Sequence, residues 1–160
     1  CCSMLERAVA KAYRRISALT VNRRVKFLLR YIADDSLKHA NALEGASKTL
    51  MRKAKPKPEE CSKLLGEAWK KVFEDAEKIS ARKDRVDGQE LSAIISAMEH
   101  IESFTGEEYL MIINSKVLQL MLSEKDELAK SIKEVLELIA EDEERHKKVL
   151  TAIKNIIAKS

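Results

Sequence analysis

Glycine and proline are scarce, at four and two in 160 residues. Folds of many hairpins draw heavily on both for their turns, so a sheet-rich chain is excluded. Aromatic residues are only 4% of the chain, which leaves little for stacking on bases. No apolar run approaches the ~18 residues that would suggest a membrane span, and no hydrophobic stretch followed by a cleavage site opens the chain. A soluble, cytoplasmic protein without membrane attachment is the expectation. The cysteines, Cys1, Cys2 and Cys61, are odd in number and contain no C-x-x-C. They match neither a disulfide framework nor a zinc knuckle, and reduced thiols are expected.

What the chain has is Ala, Leu, Ile, Glu, Lys and Arg, with 45% hydrophobic and 35% charged residues. That balance favours long helices and one all-α domain over residues 1–160. The net charge of +4 is unevenly placed: residues 1–60 hold fourteen Lys or Arg against six Asp or Glu, and the remainder sixteen against twenty. Arg14, Arg15, Arg23, Arg24, Lys26 and Arg30 crowd one junction. A solvated helix end is expected there and not nucleic-acid binding. The abundance of Lys, Arg and Glu also fits a thermophile.

Apolar residues recur with helical period in four long segments, about 3–19, 21–54, 88–122 and 124–158. The first carries Cys2, Glu6, Val9, Tyr13 and Ile16 on one line; the second carries Val25, Leu29, Ile32, Ser36, His39, Leu43, Ala46 and Leu50. Both prolines fall at 56–58, where the helical pattern breaks. A shorter amphipathic helix, from Pro58 to about Ala81, then occupies part of a crossover over 55–87. Asp87 with Glu90 has the spacing of a capping box and opens the third long helix. The fourth places Ile132, Leu136, Ile139, Glu143, His146, Leu150, Ile153 and Ile157 on one stripe. Two helices, a long crossover and two more helices is the connectivity of a four-helix bundle with a single crossover.

The two halves resemble each other. IADDSLKH at 32–39 aligns with IAEDEERH at 139–146, matching Ile32, Ala33, Asp35 and His39 to Ile139, Ala140, Asp142 and His146. Glu6 precedes Tyr13 by seven residues, as Glu102 precedes Tyr109. Glu6, His39, Glu102, Glu143 and His146 all lie on apolar stripes, and burying such groups without partners costs several kcal/mol each. They are therefore expected to neutralise one another or to bind something. Carboxylates with neutral imidazoles suit iron, manganese or zinc, and an i,i+3 spacing lets Glu143 and His146 reach one ion.

In this pattern the chain resembles the ferritin-like superfamily, nearest to the rubrerythrin-type di-iron proteins, over the four long helices. There the first and third helices each give a glutamate and the second and fourth each give E-x-x-H. Glu143-x-x-His146 matches intact, Glu6 fits the first-helix glutamate, and Glu99-x-x-Glu102 resembles the rubrerythrin third helix. The resemblance implies iron, in a di-iron centre, held by Glu6, His39, Glu99, Glu102, Glu143 and His146. It also implies reduction of oxygen or peroxide, an external electron donor, and a homodimer. Ser36 departs from it, standing where the second-helix glutamate belongs; Asp35, four before His39, is the candidate replacement. The paired C-x-x-C motifs of an electron-transfer domain are absent.

Each residue also has a plainer reading. His39 alone could be a core histidine bonded to a carboxylate, Glu6 a first-turn acid, and Tyr13 and Tyr109 core aromatics with a wet hydroxyl. His100 points away from the stripe, and Glu99 fits it less well than Glu102. Two other functions stay open on the sequence: a scaffold that has lost its centre at Ser36 and acts as an interaction module, and a metal-dependent hydroxylase acting on a larger substrate.

Overall fold

The computed structural model describes residues 1–50, 56–113 and 127–159. Within them are five helices and no strand: α1 (Cys2–Leu19), α2 (Arg23–Leu50), α3 (Pro58–Ser80), α4 (Gly88–Ile113) and α5 (Glu127–Ile157). The all-α expectation holds. No described helix is long and apolar enough to cross a membrane. The expected helix ends at 54 and 122, the start at 124 and the side chain of Tyr109 lie outside the described residues.

Local chemistry explains the boundaries. The second helix begins at Arg23 and not at 21, because Asn22 Oδ1 accepts from the amides of Arg24 at 3.1 Å and Val25 at 3.2 Å, which makes Asn22 its cap. Pro58 opens α3, and the Glu60 carboxylate accepts from the Lys57 amide at 2.7 Å. Gly66, at φ 85°, interrupts α3 in a conformation that side-chain-bearing residues rarely adopt. At the start of α4 the Glu90 carboxylate pairs with Arg82, across the loop from the expected cap at Asp87.

Pairings along the helices give their directions. Arg7 reaches Asn41 and Glu44 while Arg14 reaches Asp34, so α1 and α2 are antiparallel. Cys1 meets Cys61 and Lys11 meets Glu77, so α3 runs back alongside α1. It delivers the chain to Val86, whose amide donates to Leu19 at the far end of α1. From there α4 descends, and α5 returns antiparallel to it, pairing Lys154 with Glu99, His146 with Glu102 and Glu143 with Thr105.

The interior is layered. A large apolar cluster holds Tyr13, Ile16, Leu29, Ile32, Trp69, Ile95, Met98, Leu150 and Ile153, each contributing on the order of 1.5–3 kcal/mol by burial. A smaller one gathers Ile132, Leu136, Ile139 and Ala140 with Cys2, Leu43 and Ala46. Along α2 and α5 the residues between these clusters are polar and buried: Asp35, Ser36 and His39 on one, Glu143 and His146 on the other.

The cysteines require a correction. Cys1 and Cys61 form a disulfide, and Cys2 lies outside it. Running α3 beside α1 brings the two Cα atoms to 5.3 Å across a separation of 60 residues, within bridging reach. Spacing in the chain carries no sign of that proximity. Closing a loop of this length removes enough unfolded-state entropy to stabilise the fold by about 4 kcal/mol. Thermal melting with and without reductant should therefore separate by about 10 °C, and Cys61→Ser should match the reduced protein. Coincident melts would show that the bridge does not constrain the unfolded chain.

Candidate metal centre

Four helices converge on the polar layer. Glu6 comes from α1, His39 from α2, Glu102 from α4, and Glu143 and His146 from α5, and all five are buried. Each occupies a helix position that would otherwise carry a core hydrophobe, so the helix period itself turns these side chains inward.

They form two groups that share one residue. Glu6, His39 and Glu143 bring one ligand atom each within 4.8 Å of one another, and so do Glu102, Glu143 and His146. In the first, His39 Nδ1 stands 3.1 Å from Glu143 Oε1 and 3.9 Å from Glu6 Oε1. In the second, His146 Nδ1 stands 3.0 Å from Glu102 Oε2 and 3.6 Å from Glu143 Oε2. Glu143 thus turns one oxygen toward each histidine. The two imidazoles stack with centroids 5.7 Å apart. Gly106 lets α4 lie close here, since a Cβ in its place would meet the Glu143 Cβ at 3.4 Å.

A ring of hydrogen bonds positions these groups. Tyr13 donates its hydroxyl to Glu102 Oε1, and Thr105 Oγ1 lies 3.2 Å from Glu143 Oε2. Asp142 Oδ2 is 3.0 Å from His39 Nε2, and Asp35 Oδ2 is 3.5 Å from His146 Nε2. The repeat therefore closes crosswise: the aspartate four residues before each histidine approaches the histidine of the other half, with Asp142 alone in hydrogen-bond geometry. Lys38 and Arg145 pair with Asp35 and Asp142 on the solvent side.

The electrostatics follow from three carboxylates and two imidazoles in a dry interior. Burial, reinforced by the charge of Glu143, raises Glu102 to about 8, so at neutral pH it holds a proton. Glu143 goes the other way: hydrogen bonds from Glu102 and His146 outweigh its burial and hold it ionised. Burial acts to lower His146, but its bonds to Glu102 and Glu143 prevail and raise it to about 10. Burial, then Glu102, lifts Tyr13 well above its ordinary value, which keeps the phenol a donor. For Asp35, Lys38 outweighs burial and lowers the carboxyl.

Not every expected ligand arrives. Glu99 is partly exposed, pairs with Lys154 on α5 and enters neither three-residue group. Asp35 approaches His146 but enters neither three-residue group. Ser36 is buried and donates its hydroxyl to the Ile32 carbonyl at 3.1 Å, an i−4 bond within its own helix. Sequence reasoning passed over Asp142 and Thr105 as functional residues. The repeat carried a signal for Asp142, since it aligns with Asp35; Thr105 could have been found one turn beyond Glu102 on the same stripe.

The donor set fits a transition metal. His39 Nδ1 and Glu143 Oε1 are buried side by side without a hydrogen-bond partner, and such orphaned atoms are costly unless something bridges them. Imidazole nitrogen with carboxylate oxygen suits iron, manganese or zinc.

Tyr13→Phe removes the hydroxyl from Glu102 while keeping the ring. Loss of a buried hydrogen bond should lower stability by about 1–2 kcal/mol, read as a shifted denaturant midpoint at unchanged slope. An unshifted midpoint would remove Tyr13 from the network. No family model, curated protein or solved structure matches the chain.

Proposed function

We propose that this protein is a ferritin-like helical bundle whose interior centre binds two transition-metal ions, iron in the first instance, and that it reduces oxygen or peroxide. The observation that carries the reading is Glu143, buried between two histidines with one oxygen in each ligand group. Helix order supports the architecture: two antiparallel helices, a crossover helix and two more, with all ligands on α1, α2, α4 and α5.

One ion would be held by Glu6, His39 and Glu143, and the other by Glu102, Glu143 and His146. Bound iron would supply the electrons and polarise an O–O bond. The protein's own part is to hold Glu143 ionised between the positions, to fix the His39 imidazole through Asp142, and to keep a proton on Glu102 beside the Tyr13 hydroxyl. An external donor returns the electrons, and a small oxidant is the substrate. A homodimer belongs to the same proposal.

The test is peroxide consumption by protein loaded anaerobically with ferrous iron, beside the Glu143→Ala/His146→Ala variant. Turnover well above free iron in the wild type, lost in the variant, is the expected result. Equal rates in both would leave iron chemistry without a place in this protein.

A further inference from the structure

The two histidines of the centre are hydrogen-bonded in opposite senses. His39 Nε2 meets Asp142 Oδ2 at 3.0 Å, and an ionised carboxylate only accepts, so Nε2 carries the hydrogen. The inward Nδ1 therefore presents a lone pair, facing Glu143 Oε1 at 3.1 Å, and neither atom has a hydrogen-bond partner. Two lone pairs held that close in a dry interior repel each other, and a cation between them would turn the repulsion into two bonds. His146 is reversed. Its inward Nδ1 lies 3.0 Å from Glu102 Oε2 and carries the hydrogen; its outward Nε2 stands without a bond, 3.5 Å from Asp35. Glu102 is engaged a second time by Tyr13.

We infer that the centre fills in a fixed order: the first ion enters between Glu6, His39 and Glu143, and the second takes the Glu102, Glu143 and His146 position afterwards. The first position already offers an imidazole lone pair to an ion. The second is closed by the His146 to Glu102 hydrogen bond, which an arriving ion must displace, the proton from Nδ1 leaving to solvent. The asymmetry originates in one difference between the halves. Asp142 reaches His39 in hydrogen-bond geometry, whereas Asp35, drawn to Lys38, stops short of His146. The order rests on the metal-binding reading above, and Glu143 serves both ions in turn.

The chain has three histidines, so their ring nitrogens can be followed one by one in uniformly labelled protein by long-range proton–nitrogen NMR during a zinc titration. His100 is exposed and serves as the internal control. Without metal, Nδ1 should carry no hydrogen in His39 and should carry one in His146. Up to one equivalent, Nδ1 of His39 should shift to a metal-bound value while His146 stays in place, and the second equivalent should move His146. His146 shifting first, or both shifting in proportion, would overturn the order while leaving metal binding intact. If neither ring moves, the metal-binding reading itself fails and the order with it. As a second measurement, His146→Ala should still take one equivalent of zinc at His39 with affinity within about threefold, whereas His39→Ala should weaken the first equivalent at least about tenfold. The opposite pattern would reverse the order.

Discussion

Ser36→Glu, which puts a carboxylate where the di-iron pattern has one, should fold less stably than wild type without metal and regain that stability when metal is added. Ser36 is 1% exposed and stands three residues before His39 on α2. A further carboxylate there adds charge to a layer that already holds Glu6, Glu102 and Glu143, with no new cation to offset it. Burying it uncompensated costs about 3 kcal/mol or more, which for a chain of this size lowers Tm by about 6–12 °C. Two divalent ions would reverse the sign of the effect, because the added oxygen gives them another ligand. With zinc present the variant should melt at or above wild type, and it should hold its second ion at least about tenfold more tightly. Ser36→Gln has the same bulk without the charge and separates sterics from electrostatics: its loss should not be repaired by zinc. Equal destabilisation of Ser36→Glu with and without metal would mean that position 36 only packs.

The metal-free protein should lose stability as pH rises from 6 to 10. His146 has its folded pKa raised to about 10, so its contribution is complete below the unfolded value near 6.5 and is lost as pH climbs through about 10. Glu102, raised to about 8, keeps a proton that the unfolded chain has already released, so it too costs stability as pH rises from about 4.5 to about 8. Glu143 is depressed; its contribution is present above its unfolded value and is lost only as pH falls through its low folded one, which places it on the acid limb. Between pH 6 and 10 the folded state therefore binds more protons than the unfolded state, and the slope is downward. A fall in Tm of about 10 °C across that range is expected. Metal takes the place of these protons, so the loaded protein should be nearly flat over the same range and the gap between the two should widen with pH. Parallel curves would show that metal and protons do not compete for the same atoms.

Much of this was legible in the sequence, for reasons that can be named. Helices on which Ile139, Glu143, His146 and Leu150 share a face have to turn the charged pair into the core, and the same holds for Ile32, His39 and Leu43. The polar layer was visible for that reason, as was the all-α class. What the sequence could not carry is any relation between helices. Asp142 was aligned with Asp35, yet that each approaches the other half's histidine depends on how α2 and α5 lie together. Glu99 stands three residues before Glu102, close enough in register to look like a second oxygen donor, but Lys154 on α5 takes its carboxylate. The Cys1 to Cys61 bridge follows from α3 running beside α1, and 60 residues of separation say nothing about that.

The most direct measurement is metal content by mass spectrometry on protein loaded anaerobically with ferrous iron and freed of excess, beside Glu143→Ala/His146→Ala. Glu143 belongs to both ligand groups and His146 to one, so the pair of changes should empty the centre. Two ions per chain in the wild type and close to none in the variant is the predicted result. Equal metal in the two proteins, whether none or some, would contradict the centre described here.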